Sequence, residues 1–204
     1  MLTLHQMHIS GNCYKVRLAA RQLGIALRLK DYGLHDGTTR KPEFLAKNPN
    51  GRVPTLEMED GRTLPESGAI LWYLGEGTRL VPEDRWHRAE ALQWMFFEQY
   101  SHEPYVAVAR FWLAYAPKPE LDKKRHLVGE WHEKGNAALA VMETHLARRD
   151  WFAGDAYSIA DIALYGYTHS AAEGGFDLAR YPAVTAWLSR VASTPGYIAL
   201  SETW

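Results

Sequence analysis

The sequence predicts a small α/β domain followed by an all-helical domain. Over the first 76 residues, short apolar runs typical of strands alternate with helical spacings and turn residues. Beyond residue 85 the strand patterns stop, and long segments carry apolar residues at the helical period. We therefore expect an α/β domain over residues 1–76, a linker over 77–85 and a helical domain over 86–204.

The elements of the first domain follow one another as strand, helix, strand, a loop with a short helix, then hairpin and helix. Residues 2–7 (LTLHQM) and 26–32 (ALRLKDY) have the composition of short strands. The helix between them ends before Gly24, a residue suited to a helix C-terminus, and its apolar positions are Cys13, Val16, Ala19, Ala20 and Leu23. Residues 53–64 predict a hairpin, and a second helix opens at Pro65-Glu66-Ser67. This order predicts a mixed sheet.

The second domain shows four long helical patterns, over residues 86–100, 120–149, 158–173 and 183–193. Pro104 is expected to break or kink the first of these helices, because proline lacks a backbone N–H. Ser158 and Asp161 stand three residues apart in the arrangement of a capping box, which predicts a well-defined helix start.

Composition and charge exclude several classes of protein. The 23 basic and 24 acidic residues give a net charge of −1, which argues against a nucleic-acid partner. No apolar run is long enough for a membrane span, and no secretion signal precedes the first strand, so a cytoplasmic protein is expected. The single cysteine allows no internal disulfide, and the nine histidines form no metal-binding motif.

The stretch SGNCYKV, residues 10–16, places Ser10 in the loop after the first strand and Cys13 in the first helix. Cys13 lies in phase with the apolar face, as a buried cysteine does, although a helix N-terminus can also make a thiol reactive. In a C-x-x-C redox motif the accessible position is a thiol, but here it is the alcohol of Ser10. That hydroxyl is suited to donate a hydrogen bond to an anion.

Two later stretches indicate what the anion is. In NPNGRVPTL, residues 48–56, a cis Val53–Pro54 bond would turn the backbone of Val53 outward to pair with a peptide-like ligand; an ordinary proline at a strand start is the alternative. In LPESGAI, residues 64–70, a serine hydroxyl and helix N–H groups suit a carboxylate, beside a glutamate that suits an ammonium group. Alone, this second motif could be only a helix start.

Taken in this order, the motifs resemble those of the cytosolic glutathione transferase family, and the resemblance covers nearly the whole chain. It implies a thioredoxin-like domain that binds glutathione and a helical domain that helps to form the electrophile site. It also implies a glutathione S-transferase of the serine type (theta-, delta- or phi-like) that conjugates glutathione, its co-substrate, to a small hydrophobic electrophile. No metal is expected, and a homodimer is expected from the resemblance alone.

The resemblance assigns roles to individual residues. Ser10 matches the catalytic serine, whose hydroxyl would stabilise the glutathione thiolate. Val53, before Pro54, would pair its backbone with the cysteinyl unit, and Glu66 and Ser67 would hold the γ-glutamyl end.

Three basic residues are weaker matches to family positions. Arg52 stands where relatives carry a glutamine or lysine near the ligand. Arg40 and Lys41 are candidates for the glycyl carboxylate, although some serine-type relatives carry a histidine where this chain has Thr39.

Three residues other than Ser10 compete for the activation of the thiol. Asn12 could cap the helix or donate its amide N–H to the thiolate, and Cys13 could itself react. Tyr14 lies inside the helix, not at the end of the first strand where tyrosine-type relatives carry theirs, so it is expected to pack or to face solvent. The electrophile site is expected to include Met7, His8, Tyr105, Arg110 and Trp112.

Two functions other than conjugation are consistent with these residues. One is glutathione-dependent reduction of thiols or peroxides, in which Cys13 could form a mixed disulfide. The other is a non-catalytic binding protein that keeps only the fold. The presence of Ser10, Glu66 and Ser67 together argues against the non-catalytic alternative.

Overall fold

The alternating apolar runs of the first domain form a four-stranded mixed sheet in the computed structural model, which describes residues 1–202. The strands are β1 (Leu2–Gln6), β2 (Leu27–Asp31), β3 (Thr55–Glu57) and β4 (Thr63–Pro65), in the order β2-β1-β3-β4. β1 runs parallel to β2 and antiparallel to β3, and β3 pairs antiparallel with β4. The predicted thioredoxin-like mixed sheet is confirmed.

Three helices complete this arrangement: α1 (Gly11–Gln22), the short α2 (Pro42–Leu45) and α3 (Ser67–Gly75). α1 ends as predicted, because Gly24 follows it in the left-handed conformation with φ of 69°. Apolar side chains from β1, β2, β3, α1 and α3 form one buried cluster, namely Leu4, Val16, Ala20, Leu27, Leu56, Ile70 and Leu74. This cluster fixes the N-termini of α1 and α3 relative to the sheet.

The chain divides into an α/β unit, residues Met1–Val81 together with residues 194–202, and a helical unit, residues Pro82–Ser193. The sequence prediction placed the residues after 193 in the helical domain. In the structure they group with the α/β unit, because they bind α1. Tyr14 Oη donates to the carbonyl of Ile198 at 2.6 Å, and Arg17 Nη2 donates to the carbonyl of Leu200 at 2.9 Å.

The helical unit contains α4 (Arg85–Phe97), α5 (Glu103–Arg110), α6 (Lys118–Lys124), α7 (Val128–Leu146), α8 (Ile159–Thr168) and α9 (Pro182–Ala192). Two π-helical turns, Glu98–His102 and Phe111–Tyr115, flank α5. Pro104 lies in the first turn of α5, directly after the π-turn Glu98–His102, so the predicted interruption takes the form of a π-turn that precedes the proline. None of the helices within residues 1–202 is long and apolar enough to cross a membrane.

The predicted capping box at the start of α8 is confirmed. Ser158 Oγ accepts from the backbone N–H of Ala160 at 3.2 Å, and Asp161 Oδ2 accepts from the backbone N–H of Ser158 at 2.9 Å. The other carboxylate oxygen of Asp161 accepts from the indole N–H of Trp187 at 2.9 Å. Burial raises the pKa of the Asp161 carboxyl to about 6, although these hydrogen bonds act in the opposite direction.

Candidate functional site

The N-terminus of α1 presents a serine hydroxyl. Ser10 is the N-cap, with extended backbone (φ −73°, ψ 122°), and its Oγ accepts from the backbone N–H of Cys13 at 3.3 Å. The side chain is partly exposed. Because the oxygen is the acceptor in that bond, the hydroxyl keeps its own proton to donate.

Cys13 is a buried core residue. It is fully buried, and its Sγ accepts from the backbone N–H of Met7 at 3.4 Å. Burial raises the pKa of the Cys13 thiol to about 11, so the thiol stays protonated near neutral pH. Tyr14, the next residue, is also fully buried and packs rather than facing solvent.

The N-termini of α1 and α3 meet through a side-chain hydrogen bond. Ser67 Oγ, at the first position of α3, donates to Asn12 Oδ1 at 3.1 Å. Lys15 Nζ donates to the same amide oxygen at 2.7 Å. Each helix N-terminus carries a partial positive charge and backbone N–H groups, so their meeting makes a place where an anion is favoured.

Glu66, the N-cap residue of α3, has an unusual backbone conformation. Its φ is 72° and its ψ is 116°, and it is the only non-glycine residue with positive φ within residues 1–202. Such a conformation costs on the order of 1–3 kcal/mol and is found preferentially at functional sites. The side chain is exposed, and Glu66 directly precedes Ser67, the residue that contacts Asn12.

The loop before β3 carries Val53 and Pro54. The Val53–Pro54 peptide bond is cis, Val53 is partly exposed and Pro54 is buried. Asn48 holds this loop, because its Nδ2 donates to the carbonyl of Arg52 at 2.8 Å and its Oδ1 accepts from the backbone N–H of Asn50 at 3.0 Å. Two hydrogen bonds from one buried asparagine thus help to hold the loop that carries Val53.

The basic candidates lie around the same loop. Arg40, Lys41 and Arg52 are all exposed. Arg40 Nη1 donates to the carbonyl of Asn50 at 2.8 Å, so its guanidinium is already engaged with the loop. Lys41 precedes α2 directly.

The electrophile candidates are divided between the two units. In the α/β unit, Met7 and His8 are partly exposed, and Arg17 Nη2 donates to the carbonyl of His8 at 3.1 Å. In the helical unit they are Tyr105 in α5, Arg110 at the end of α5, and Trp112 in the π-turn that follows.

Within the helical unit these three side chains make different contacts. Arg110 is buried, and its guanidinium donates to Glu173 Oε2 at 2.9 Å and to Tyr115 Oη at 2.8 Å. The Lys134 ammonium lies 5.2 Å from the centre of the Tyr105 ring. The Trp112 ring stacks on that of Trp131, with centroids 6.4 Å apart.

Comparison with known proteins gives the family. The model of the glutathione S-transferase N-terminal domain matches residues 4–79, and the model of the glutathione S-transferase C-terminal domain matches residues 93–195. The chain belongs to the glutathione S-transferase family. The expected fold and family are therefore confirmed.

The relatives of this glutathione S-transferase family member are named for more than one activity. A glutathione S-transferase from Pseudomonas fluorescens is 46% identical, with a TM-score of 0.95 over 98% of this chain and 99% of that chain. The disulfide-bond oxidoreductase YfcG of Escherichia coli strain K12 is 31% identical over 191 residues, 90% of this chain and 87% of its own. Ure2p in complex with glutathione is 25% identical, with a TM-score of 0.85 over 96% of this chain and 95% of that chain.

The sequence analysis missed two polar residues of this glutathione S-transferase family site. Asn48 is buried, and its position before Pro49 and Asn50 is the available signal, since asparagine often bonds the backbone two residues on. Lys15 is also buried, and the sequence analysis assigned it no role. Nothing in the local pattern distinguishes Lys15 from a surface lysine.

Proposed function

We propose that this glutathione S-transferase family member is a serine-type transferase that stabilises the glutathione thiolate and adds it to a small hydrophobic electrophile. The observation that carries the proposal is the contact between Asn12 and Ser67, 3.1 Å long, which joins the N-termini of α1 and α3 beside the Ser10 hydroxyl. Two helix N-termini and a hydroxyl donor form a place for a thiolate at one end and a carboxylate at the other.

The thiolate must be stabilised because the free thiol is a poor nucleophile. Its pKa of about 8.5 leaves only a few per cent as thiolate at about pH 7. Lowering that pKa by about two units requires roughly 2.7 kcal/mol of preferential stabilisation. One hydrogen bond to a charged acceptor contributes about 1.5–3 kcal/mol, so Ser10 can supply much of it, and the N-terminus of α1 adds a smaller share. Asn12 is the alternative donor.

The rest of glutathione would lie along the α/β unit, over the domain that we assign to residues 1–76. The γ-glutamyl carboxylate would bind at Ser67 and the N-terminus of α3, and Glu66 would pair with the ammonium group. The backbone of Val53, before Pro54, would pair with the cysteinyl unit. The glycyl carboxylate would face the basic residues Arg40, Lys41 and Arg52.

The conjugation step forms a carbon–sulfur bond. The thiol releases its proton as it ionises in the site, and the thiolate attacks the electrophilic carbon. The leaving group then departs with the electron pair of its bond to that carbon. We assign the electrophile side to Met7, His8, Tyr105, Arg110 and Trp112, and we propose a cytoplasmic homodimer, both from family resemblance.

A second function, glutathione-dependent disulfide reduction, is favoured by the relative YfcG, which is named a disulfide-bond oxidoreductase and is 31% identical over 191 residues. The fully buried Cys13 is unsuited to a mixed disulfide, so the reaction would use two glutathione molecules. The first thiolate would attack the substrate disulfide, forming glutathione mixed disulfide and releasing one thiolate. The second would attack that mixed disulfide, forming oxidised glutathione and releasing the other.

The deciding experiment has two parts. The thiolate absorbance of bound glutathione is titrated against pH in the wild type, Ser10→Ala and Asn12→Ala. A bound pKa well below that of free glutathione, restored towards it in Ser10→Ala, supports Ser10 as the stabilising donor. The same preparations are then assayed for conjugation to an aryl halide and for reduction of a small disulfide. Absence of binding would contradict both functions and leave only a non-catalytic protein.

A further inference from the structure

Lys15 is a buried cation on the first helix of the α/β unit. The residue is only 1% exposed, and its Nζ donates to Asn12 Oδ1 at 2.7 Å. Lysine is among the residues least often buried completely, because its ammonium group must keep hydrogen-bond partners when it leaves water. A lysine buried next to the glutathione site therefore calls for a reason beyond solubility.

The chemistry of lysine decides which way the Asn12 amide faces. An ammonium group carries only donors, so the amide atom that faces Lys15 must be the oxygen. Ser67 Oγ donates to the same oxygen at 3.1 Å. With two donors on Oδ1, the amide cannot turn over without facing its own N–H groups towards an ammonium. The Asn12 amide nitrogen is thereby directed away from Lys15 and Ser67.

Ligand binding changes the balance between the two donors. The Ser67 hydroxyl has one proton, and in this structure that proton is directed to Asn12. A γ-glutamyl carboxylate at the N-terminus of α3 would attract the same proton, because a charged acceptor forms the stronger hydrogen bond. Once Ser67 has turned to the carboxylate, Lys15 holds the Asn12 amide in place.

We propose that Lys15 is a positioning residue, which holds the Asn12 amide so that its N–H groups face the glutathione sulfur while Ser67 binds the γ-glutamyl carboxylate. This inference rests on the proposed function, since it presupposes glutathione at the N-termini of α1 and α3, and it takes the Asn12 amide as a second donor to the thiolate beside the Ser10 hydroxyl. It also links the two ends of the ligand, because the Ser67 hydroxyl leaves Asn12 only when the carboxylate arrives.

The test compares Lys15→Met and Lys15→Arg with Lys30→Met, a matched control at an exposed lysine on β2. Two quantities are measured, namely the thiol pKa of bound glutathione and the dissociation constant of S-methylglutathione, which lacks the thiol. Lys15→Met is expected to raise the bound thiol pKa by about one unit and to lower kcat about tenfold. It should weaken S-methylglutathione binding much less. Lys15→Arg, which keeps charge and donors, should recover part of the loss, and Lys30→Met should change neither quantity.

The outcomes separate this inference from the proposed function. If the wild type binds S-methylglutathione and a folded Lys15→Met variant keeps the wild-type thiol pKa and kcat, the proposed positioning role of Lys15 is contradicted. If the wild type does not bind S-methylglutathione, the proposed function fails, and the inference fails with it.

A second variant decides the question if Lys15→Met does not fold. Asn12→Asp keeps an oxygen for Lys15 and Ser67, but it replaces the outward N–H groups with a second carboxylate oxygen. It should therefore raise the bound thiol pKa further than Asn12→Ala, which removes the donor without adding charge. Equal thiol pKa values in the two Asn12 variants would overturn the proposal.

Discussion

Helices α1 and α8 both begin at a serine whose hydroxyl accepts a backbone N–H, yet their surroundings differ. At α8, Ser158 is buried and Asp161 completes a reciprocal pair of hydrogen bonds. At α1, Ser10 is partly exposed, and the first turn carries no acidic residue. At the start of α8, side chains of the same helix therefore supply the negative charge and the hydrogen-bond acceptors. At the start of α1 no acidic side chain does so, and the positive helix N-terminus can bind an anion from outside the chain.

This difference teaches that a serine N-cap says little about function by itself. The residue at the third helical position decides, because a carboxylate there neutralises the helix end that a ligand would otherwise use. At α1 that position is Cys13, which is neutral and buried. We therefore expect the start of α8 to serve stability and the start of α1 to serve binding.

The largest effect is expected from Asp161→Ala. Removal of this carboxylate leaves buried donors from Ser158, Phe152 and Trp187 without their acceptor. We expect a loss of about 4 kcal/mol in the free energy of unfolding, as measured by denaturant titration. Asp155→Ala, at an exposed position of the same unit, is the control. A loss below about 1 kcal/mol would contradict the stabilising role of the α8 start.

The same carboxyl predicts a dependence of stability on pH. Its pKa is raised by burial to about 6 in the folded protein, so folding favours the protonated form. The stability that this group contributes is complete below its unfolded pKa of about 4 and is lost as pH rises through about 6.

The comparison variant for this pH effect is Asp161→Asn. The difference in free energy of unfolding, wild type minus variant, should fall by up to about 3 kcal/mol between about pH 4 and about pH 7. A difference that grows with pH would mean that the folded protein prefers the ionised carboxylate.

Ser10→Ala should show the opposite balance of effects. The loss of an N-cap costs about 1 kcal/mol of stability, well below the effect of Asp161→Ala. The bound thiol pKa should rise towards that of free glutathione, and kcat/KM should fall about 100-fold, which corresponds to roughly 2.7 kcal/mol. Denaturant titration and the thiolate titration measure the two quantities separately. A large stability loss with an unchanged thiol pKa would reverse the assignment of roles.

The smallest effect concerns the start of α3, where Glu66 has a φ of 72°. Glycine adopts positive φ readily, so Glu66→Gly should stabilise the protein by about 1 kcal/mol while weakening glutathione binding about tenfold. Glu66→Ala is the matched variant, since it removes the carboxylate but retains the backbone strain. If both variants bind glutathione as the wild type does, the carboxylate has no part in binding.

The sequence was sufficient for features that depend on residues close together in the chain. Ser158 and Asp161 form their box within one helical turn, and the strand patterns on either side of α1 form two strands of the predicted mixed sheet. The burial of Lys15 and Arg17 was not predictable in this way. Lys15 donates to Asn12 on the same helix, but the distant Ser67 shares that acceptor, and Arg17 donates to the carbonyl of the distant Leu200. Nor does any local spacing predict the two π-turns beside α5.

The contacts of Tyr14 and Arg17 with Ile198 and Leu200 have a consequence for synthesis on the ribosome. The α/β unit is discontinuous, so its first helix receives its last partners only after the whole helical unit has been translated. A nascent chain that ends before Thr194 would contain α1 but would lack the carbonyl groups of Ile198 and Leu200, which accept from Tyr14 and Arg17. The α/β unit is therefore translated first but is completed only after the helical unit.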